Sequence, residues 1–265
     1  MNAIENPLSS QTIEWLGCSS IRTFEPFPAD FNFAEGRALF DQFVGMLART
    51  GKSAPTFHLP WGVPLDLSSI NERVRLGAIE GVRRLFPMAR ILGSKILIEH
   101  PSYEPIPQEE RERRIEKLRK SLHELQPLLR AEGVRMAIEL LPRTCLGNTG
   151  EELMRIVGDC DDTIGVCLDV NHLMGRIKSL PDEVRLLGKR LIALHISDYM
   201  GANECHSMPG AGAIDWEPFI EALNEIGYQG DFNYETTITM APDEQIAEIE
   251  RNFKNIFLPL IQKEP

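Results

Sequence analysis

Four apolar runs in this chain end in a side chain that belongs in water or on an ion: VRMAIE up to Glu139, IGVCLD up to Asp169, LIALH up to His195 and DFNYE up to Glu235. Each run is short and rich in Val, Ile or Leu, as a strand covered on both faces should be. A carboxylate or imidazole is costly inside a core, so each ending marks an exit toward water or a ligand. The four endings follow one another in chain order, with spacers between them long enough for a helix. The pattern is that of parallel strands whose polar ends gather on one side.

The rest of the chain continues the alternation. The segment APTFH up to His58 reads as a strand closed by the turn-forming LPWGVP, and KILIEH up to His100 reads as another. Amphipathic spacing predicts helices over 34–50, from a cap at Ser68, Ser69 or Asn71 to about Leu92, and over the charged stretch that buries Ile115, Leu118, Leu122 and Leu125. Gly93 is the expected stop of the second, and Pro87 within it is expected to kink or split it. Further helices are predicted near 149–157, 181–188, 216–226 and 243–257. Residues 12–20 read as a short helix, followed by an apolar IRTF strand that reaches Glu25.

Strands alternating with helices imply right-handed crossovers. The expected fold is α/β, a single (β/α)8 TIM barrel domain covering 1–265, for which about 250 residues are typical. Seven convincing strands run from near 21 to 235. The first of eight should precede residue 12, where only the polar MNAIENPLSSQ stands, so the first strand is expected to be weak or missing.

Composition narrows the partners. The formal net charge of -11 argues against nucleic acid as the main partner. The five cysteines form no CxxC pair. The start of the chain lacks signal-peptide character, and no apolar run approaches the roughly 20 residues that span a bilayer. The expectation is a cytoplasmic protein without a membrane partner, with a homodimer possible.

At the carboxyl ends of barrel strands, Glu139, Asp169, His195 and Glu235 can converge. Three carboxylates in one place repel unless a cation compensates, and three oxygens with one imidazole suit a single divalent ion: Mn²⁺, Zn²⁺, Co²⁺ or Mg²⁺. His172 follows Asp169 by three residues, and His58 and His100 close their own strands on the same rim. Glu99 should face the other way. Asp198 can orient His195, His206 precedes the flexible PGAG, and Asp215 reads as a helix cap. Arg143 and Arg176 are candidate anion contacts, Trp61 can stack on a flat ligand, and His123 lies within a helix as a packing residue.

The segments AIELLPR, GVCLDVNH, LHISD, HSMPGAGAIDW and NYET, with HLPW and ILIEHP before them, resemble the xylose-isomerase-like barrel superfamily of sugar and sugar-phosphate isomerases and epimerases. The resemblance covers roughly residues 20 to 260. It implies that Glu139, Asp169, His195 and Glu235 hold the metal and that His172 contacts substrate, with His206 in the place of a motif histidine. The implied chemistry is proton transfer through a metal-stabilised enediolate, with Glu139 and Glu235 as proton carriers, on a small sugar or sugar phosphate.

The same superfamily contains type IV apurinic endonucleases, whose additional zinc ligands would match His58, His100, His172, Glu204 and His206. Two departures separate the chain from them: Glu204 is followed by Cys205 where those enzymes have an Asp-Arg-His run, and ELLPR stands in place of ENTAG. A barrel that binds metal or sugar without turnover is the third alternative.

Overall fold

Short apolar strands joined by amphipathic helices can bury both faces of every strand only by pairing in parallel under a helical layer. The computed structural model describes residues 15–16, 34–201, 203–237 and 242–262, and it has this arrangement. Among the described residues, seven parallel strands follow in chain order: β1 (Trp15–Leu16), β2 (Thr56–His58), β3 (Ile96–Glu99), β4 (Arg135–Glu139), β5 (Ile164–Asp169), β6 (Leu191–Ile196) and β7 (Asn233–Tyr234). The helices are α1 (Ala34–Thr50), α2 (Glu72–Leu92), α3 (Arg111–Glu132), α4 (Gly150–Val157), α5 (Leu180–Leu187), α6 (Trp216–Ile226) and α7 (Pro242–Ile261). This is the α/β fold of a TIM barrel. Among the described residues, no helix is long and apolar enough to cross a membrane.

The first strand among the described residues is weak, as expected, and the stretch before residue 12 lies outside them. Trp15 and Leu16 pair in parallel with Phe57 and His58, in the middle of the stretch 12–20 that reads as a helix. Pairing with a neighbouring strand overrides the local preference of so short a segment. The remainder of that stretch and the IRTF segment lie outside the described residues. Pro87 does not split its helix either: α2 runs unbroken from Glu72 to Leu92. Asn71 caps it by accepting from the amides of Arg73 and Val74, and Gly93 ends it in the left-handed conformation.

Strand alternation places the site. Ile98, Ala137, Cys167 and Ala193 form a small buried cluster separate from the main core. Each lies two residues before His100, Glu139, Asp169 or His195, so the same strand faces that enclose this plug carry the polar ends above it. The opposite faces, with Leu97, Met136, Ile138, Leu168 and Leu194, pack with Leu118, Leu122 and Leu153 of the helical layer in the main core.

Glu99 breaks the apolar rule of that outer layer. It is 3% exposed, and burial, with repulsion from Asp66 and Glu139, pushes its carboxyl well above the usual range. The folded chain therefore holds this proton to higher pH than the unfolded chain does. The stability tied to it is present at low pH and is lost as pH rises from about 4.5 through the raised folded value. Glu99→Gln removes the titration, so the variant should match the wild type at pH 4 and be the more stable of the two at pH 8. Urea unfolding at both pH values measures this, and an unchanged pH slope in the variant would count against it.

Candidate functional site

The carboxyl ends of β4, β5, β6 and β7 bring Glu139, Asp169, His195 and Glu235 together, each offering a ligand atom within 4.8 Å of the others. His195 Nδ1 lies 3.1 Å from Glu139 Oε1 and 2.8 Å from Glu235 Oε2. Glu139 and His195 are each 1% exposed and Asp169 is fully buried, whereas the Glu235 side chain keeps 28% of its surface. Glu235 Oε2 meets His195 as an ion pair. It and Asp169 Oδ2 are buried oxygens without a hydrogen-bond partner.

Electrostatics divide the three carboxylates. Burial, then repulsion from Glu235 and Glu139, pushes Asp169 well above its ordinary range. Burial is the largest influence and acts to raise Glu139 and Glu235, but the histidines together outweigh it, His195 foremost at both with His100 added at Glu139, and both are held below the ordinary range. A cluster that can keep only part of its charge, with orphaned oxygens facing inward, has the donor set a divalent cation would satisfy.

Glu139 is the hub of a wider histidine ring. His58 Nε2 lies 3.2 Å and His100 Nε2 3.1 Å from its Oε2, and His172 Nδ1 lies 3.6 Å from Oε1. Trp61 stacks on His100 at 4.7 Å between ring centroids and is 38% exposed, so one face of the rim is aromatic and open. His172 Nδ1 donates to the Leu140 carbonyl at 2.8 Å, because a carbonyl can only accept. Burial lowers the His172 pKa, which leaves a neutral ring with Nε2 as an acceptor. His206 packs edge-on against His172 at 5.6 Å in a left-handed backbone conformation, φ 41. It thus joins the rim from the loop between β6 and α6.

The remaining sequence readings divide: Asp215 and His123 stand where expected, and Asp198, Arg143 and Arg176 do not. Asp198 does not orient His195; its carboxylate accepts from the amides of Tyr199, Gly210 and Ile214 at 2.8–3.1 Å and so organises the loop that follows. Asp215 occupies the N-cap of α6 without a side-chain capping bond. Arg143 is engaged by Glu104 and Glu204. Arg176 is taken up by the Asn148 carbonyl and Glu183. His123 lies away from the site, against Gln126 and Asp159.

Sequence pattern alone does not mark Asn171 or Glu104. Asn171 is fully buried; it donates to the Asp198 carbonyl at 2.7 Å and accepts from the Cys205 amide at 3.1 Å, tying the exit of β5 to the loop after β6. A polar residue beside His172 in LDVNH was the available signal. Nothing local marks Glu104.

Residues 13–255 match the family model described as xylose isomerase-like TIM barrel. An uncharacterized protein of Methanocaldococcus jannaschii is 29% identical over 184 residues, 67% of this chain and 62% of that protein. Inosose isomerase of Bacillus subtilis is 30% identical over 115 residues, 40% of this chain and 41% of that enzyme. The match to this chain therefore spans less than two thirds of either relative's length. The solved structure of D-psicose 3-epimerase in the presence of D-fructose shares the fold with a TM-score of 0.74 at 19% identity, covering 96% of this chain and 90% of that one.

Proposed function

The chain belongs to the xylose isomerase-like TIM barrel family, and we propose that it is a divalent-metal-dependent sugar isomerase or epimerase. One observation carries the reading: Glu139, Asp169, His195 and Glu235 converge with two buried carboxylate oxygens left unsatisfied. A cation held by these four residues supplies Lewis-acid stabilisation of the negative charge that develops when a proton leaves the carbon beside a carbonyl. Two similar proteins, an inosose isomerase and a D-psicose 3-epimerase, lend support.

The chain's own residues handle the proton. Glu235, partly exposed and anionic at neutral pH, is the carboxylate a substrate carbon can reach, and Glu139 beneath the histidines is the second carrier. Neutral His172 accepts a substrate hydroxyl at Nε2, and the open face of Trp61 is the stacking surface. If both glutamates address one carbon the outcome is epimerisation; if one glutamate shuttles the proton between two carbons it is isomerisation.

Mn²⁺-loaded protein incubated in D₂O with a panel of ketoses, aldoses and their phosphates should exchange the proton beside the carbonyl of at least one of them, as read by NMR. Absence of exchange with all of them would sink the enzymatic reading and favour a binding barrel.

A second reading, an apurinic DNA endonuclease with a multinuclear site, is favoured by a separate observation. His58 Nδ1 donates to the Leu59 carbonyl at 2.8 Å, the second contact a metal-bound imidazole typically makes. Its Nε2 then points a lone pair at Glu139, within a further ligand group of His58, His100 and Glu139. Asp169, His172 and His206 form another. Metal analysis after loading separates the readings: about one ion per chain supports the sugar enzyme, while about three, with cleavage of an abasic duplex, would replace it.

A further inference from the structure

Arg143 adopts φ 51, a left-handed conformation that residues other than glycine seldom take and that the surroundings must enforce. They do. Arg111 of α3 donates to the carbonyls of Thr144 and Cys145 at 3.0 and 2.8 Å and to Asn148 Oδ1 at 3.0 Å, while its guanidinium forks onto Glu152. Asn148 in turn donates to the Arg143 carbonyl at 2.6 Å.

From this fixed loop after β4, the Arg143 guanidinium spans two other loops. Its Nε and Nη2 donate to Glu104 after β3 at 2.8 and 2.6 Å. Its Nη1 meets Glu204, and Asn203 at 3.3 Å, after β6. The other Glu204 oxygen lies 3.8 Å from His172 Nε2.

We infer that Arg143 is the positioning residue of the pocket mouth: it straps three rim loops together and holds the Glu204 carboxylate beside His172, instead of receiving an anion. Among the described residues, the Arg143 guanidinium is shared by two carboxylates and leaves no free positive charge for an anion, and Arg176 is likewise committed. The substrate class that fits is an uncharged sugar, a point that rests on the sugar isomerase or epimerase reading.

Two measurements test this on the metal-loaded protein. Arg143→Gln should speed hydrogen exchange at the Asn203, Glu204 and Cys205 amides about tenfold, while Arg176→Gln should not. For an unphosphorylated sugar, Arg143→Gln should raise KM about tenfold with kcat changed less than about twofold, and Glu204→Gln added to it should cost nothing more. Unchanged exchange overturns the strap whatever the activity. A loss confined to phosphorylated sugars would make Arg143 an anion contact and overturn it too. Faster exchange in a protein whose wild type turns over no sugar leaves the strap standing and removes the sugar reading instead.

Discussion

Replacing Glu235 with Gln should lower proton exchange on the substrate by about 10²–10⁴-fold, the range a positioned acid or base supplies, with fold and metal content retained. The argument is one of access and charge. The Glu235 side chain is 28% exposed against 1% for Glu139, so Glu235 is the carboxylate a sugar carbon meets first, with Glu139 deeper beneath the histidines. His195 holds Glu235 below its ordinary range despite burial, so at neutral pH it is ready to take a proton. Gln keeps an oxygen for a cation but cannot carry a proton. Single-turnover exchange, with metal content measured on the same samples, reads the effect. Retention of more than about a tenth of the rate would reduce Glu235 to a ligand.

Asp198→Ala should cost about 3–5 kcal/mol in urea unfolding, because three backbone amides lose a charged acceptor at once. Asp198 is fully buried, and its oxygens receive Tyr199, Gly210 and Ile214. Its carbonyl also receives Asn171 and Ser207. The loop closes so tightly on it that a Cβ at Gly212 would stand 2.4 Å from Asp198 Oδ1 and 2.5 Å from the Tyr199 carbonyl. Activity should fall as well, since the same loop carries Glu204 and His206 to the rim. A cost below about 1 kcal/mol would mean that the loop is held elsewhere.

The strands that carry chemistry were legible because period and polarity coincide in them. A Val/Ile/Leu run ending in Glu139 or Asp169 has few ways to fold other than as a buried strand with its end at a rim. The same reasoning reads residues 12–20 as a helix where a strand stands: Trp15 and Leu16 are held by Phe57 and His58, and no local pattern in a two-residue strand encodes its partner. Asp198 and Arg143 fail for a related reason. Sequence proximity suggested that Asp198 serves His195 and that Arg143 stands free for an anion. The partners that decide their roles are 12 to 61 residues away: Gly210 and Ile214 for the one, Glu104 and Glu204 for the other.

The sequence by itself determined the parallel barrel and the identity of the four converging side chains, since strand period and the cost of burying charge act over a few neighbouring residues. Only the tertiary structure decided that Glu139 sits beneath a ring of histidines while Glu235 faces the pocket. It also decided that Arg143 and Arg176 are already paired with glutamates. Burial and ion pairing depend on which loops the closed barrel brings within a few ångströms of one another, and that distance is set by the fold as a whole.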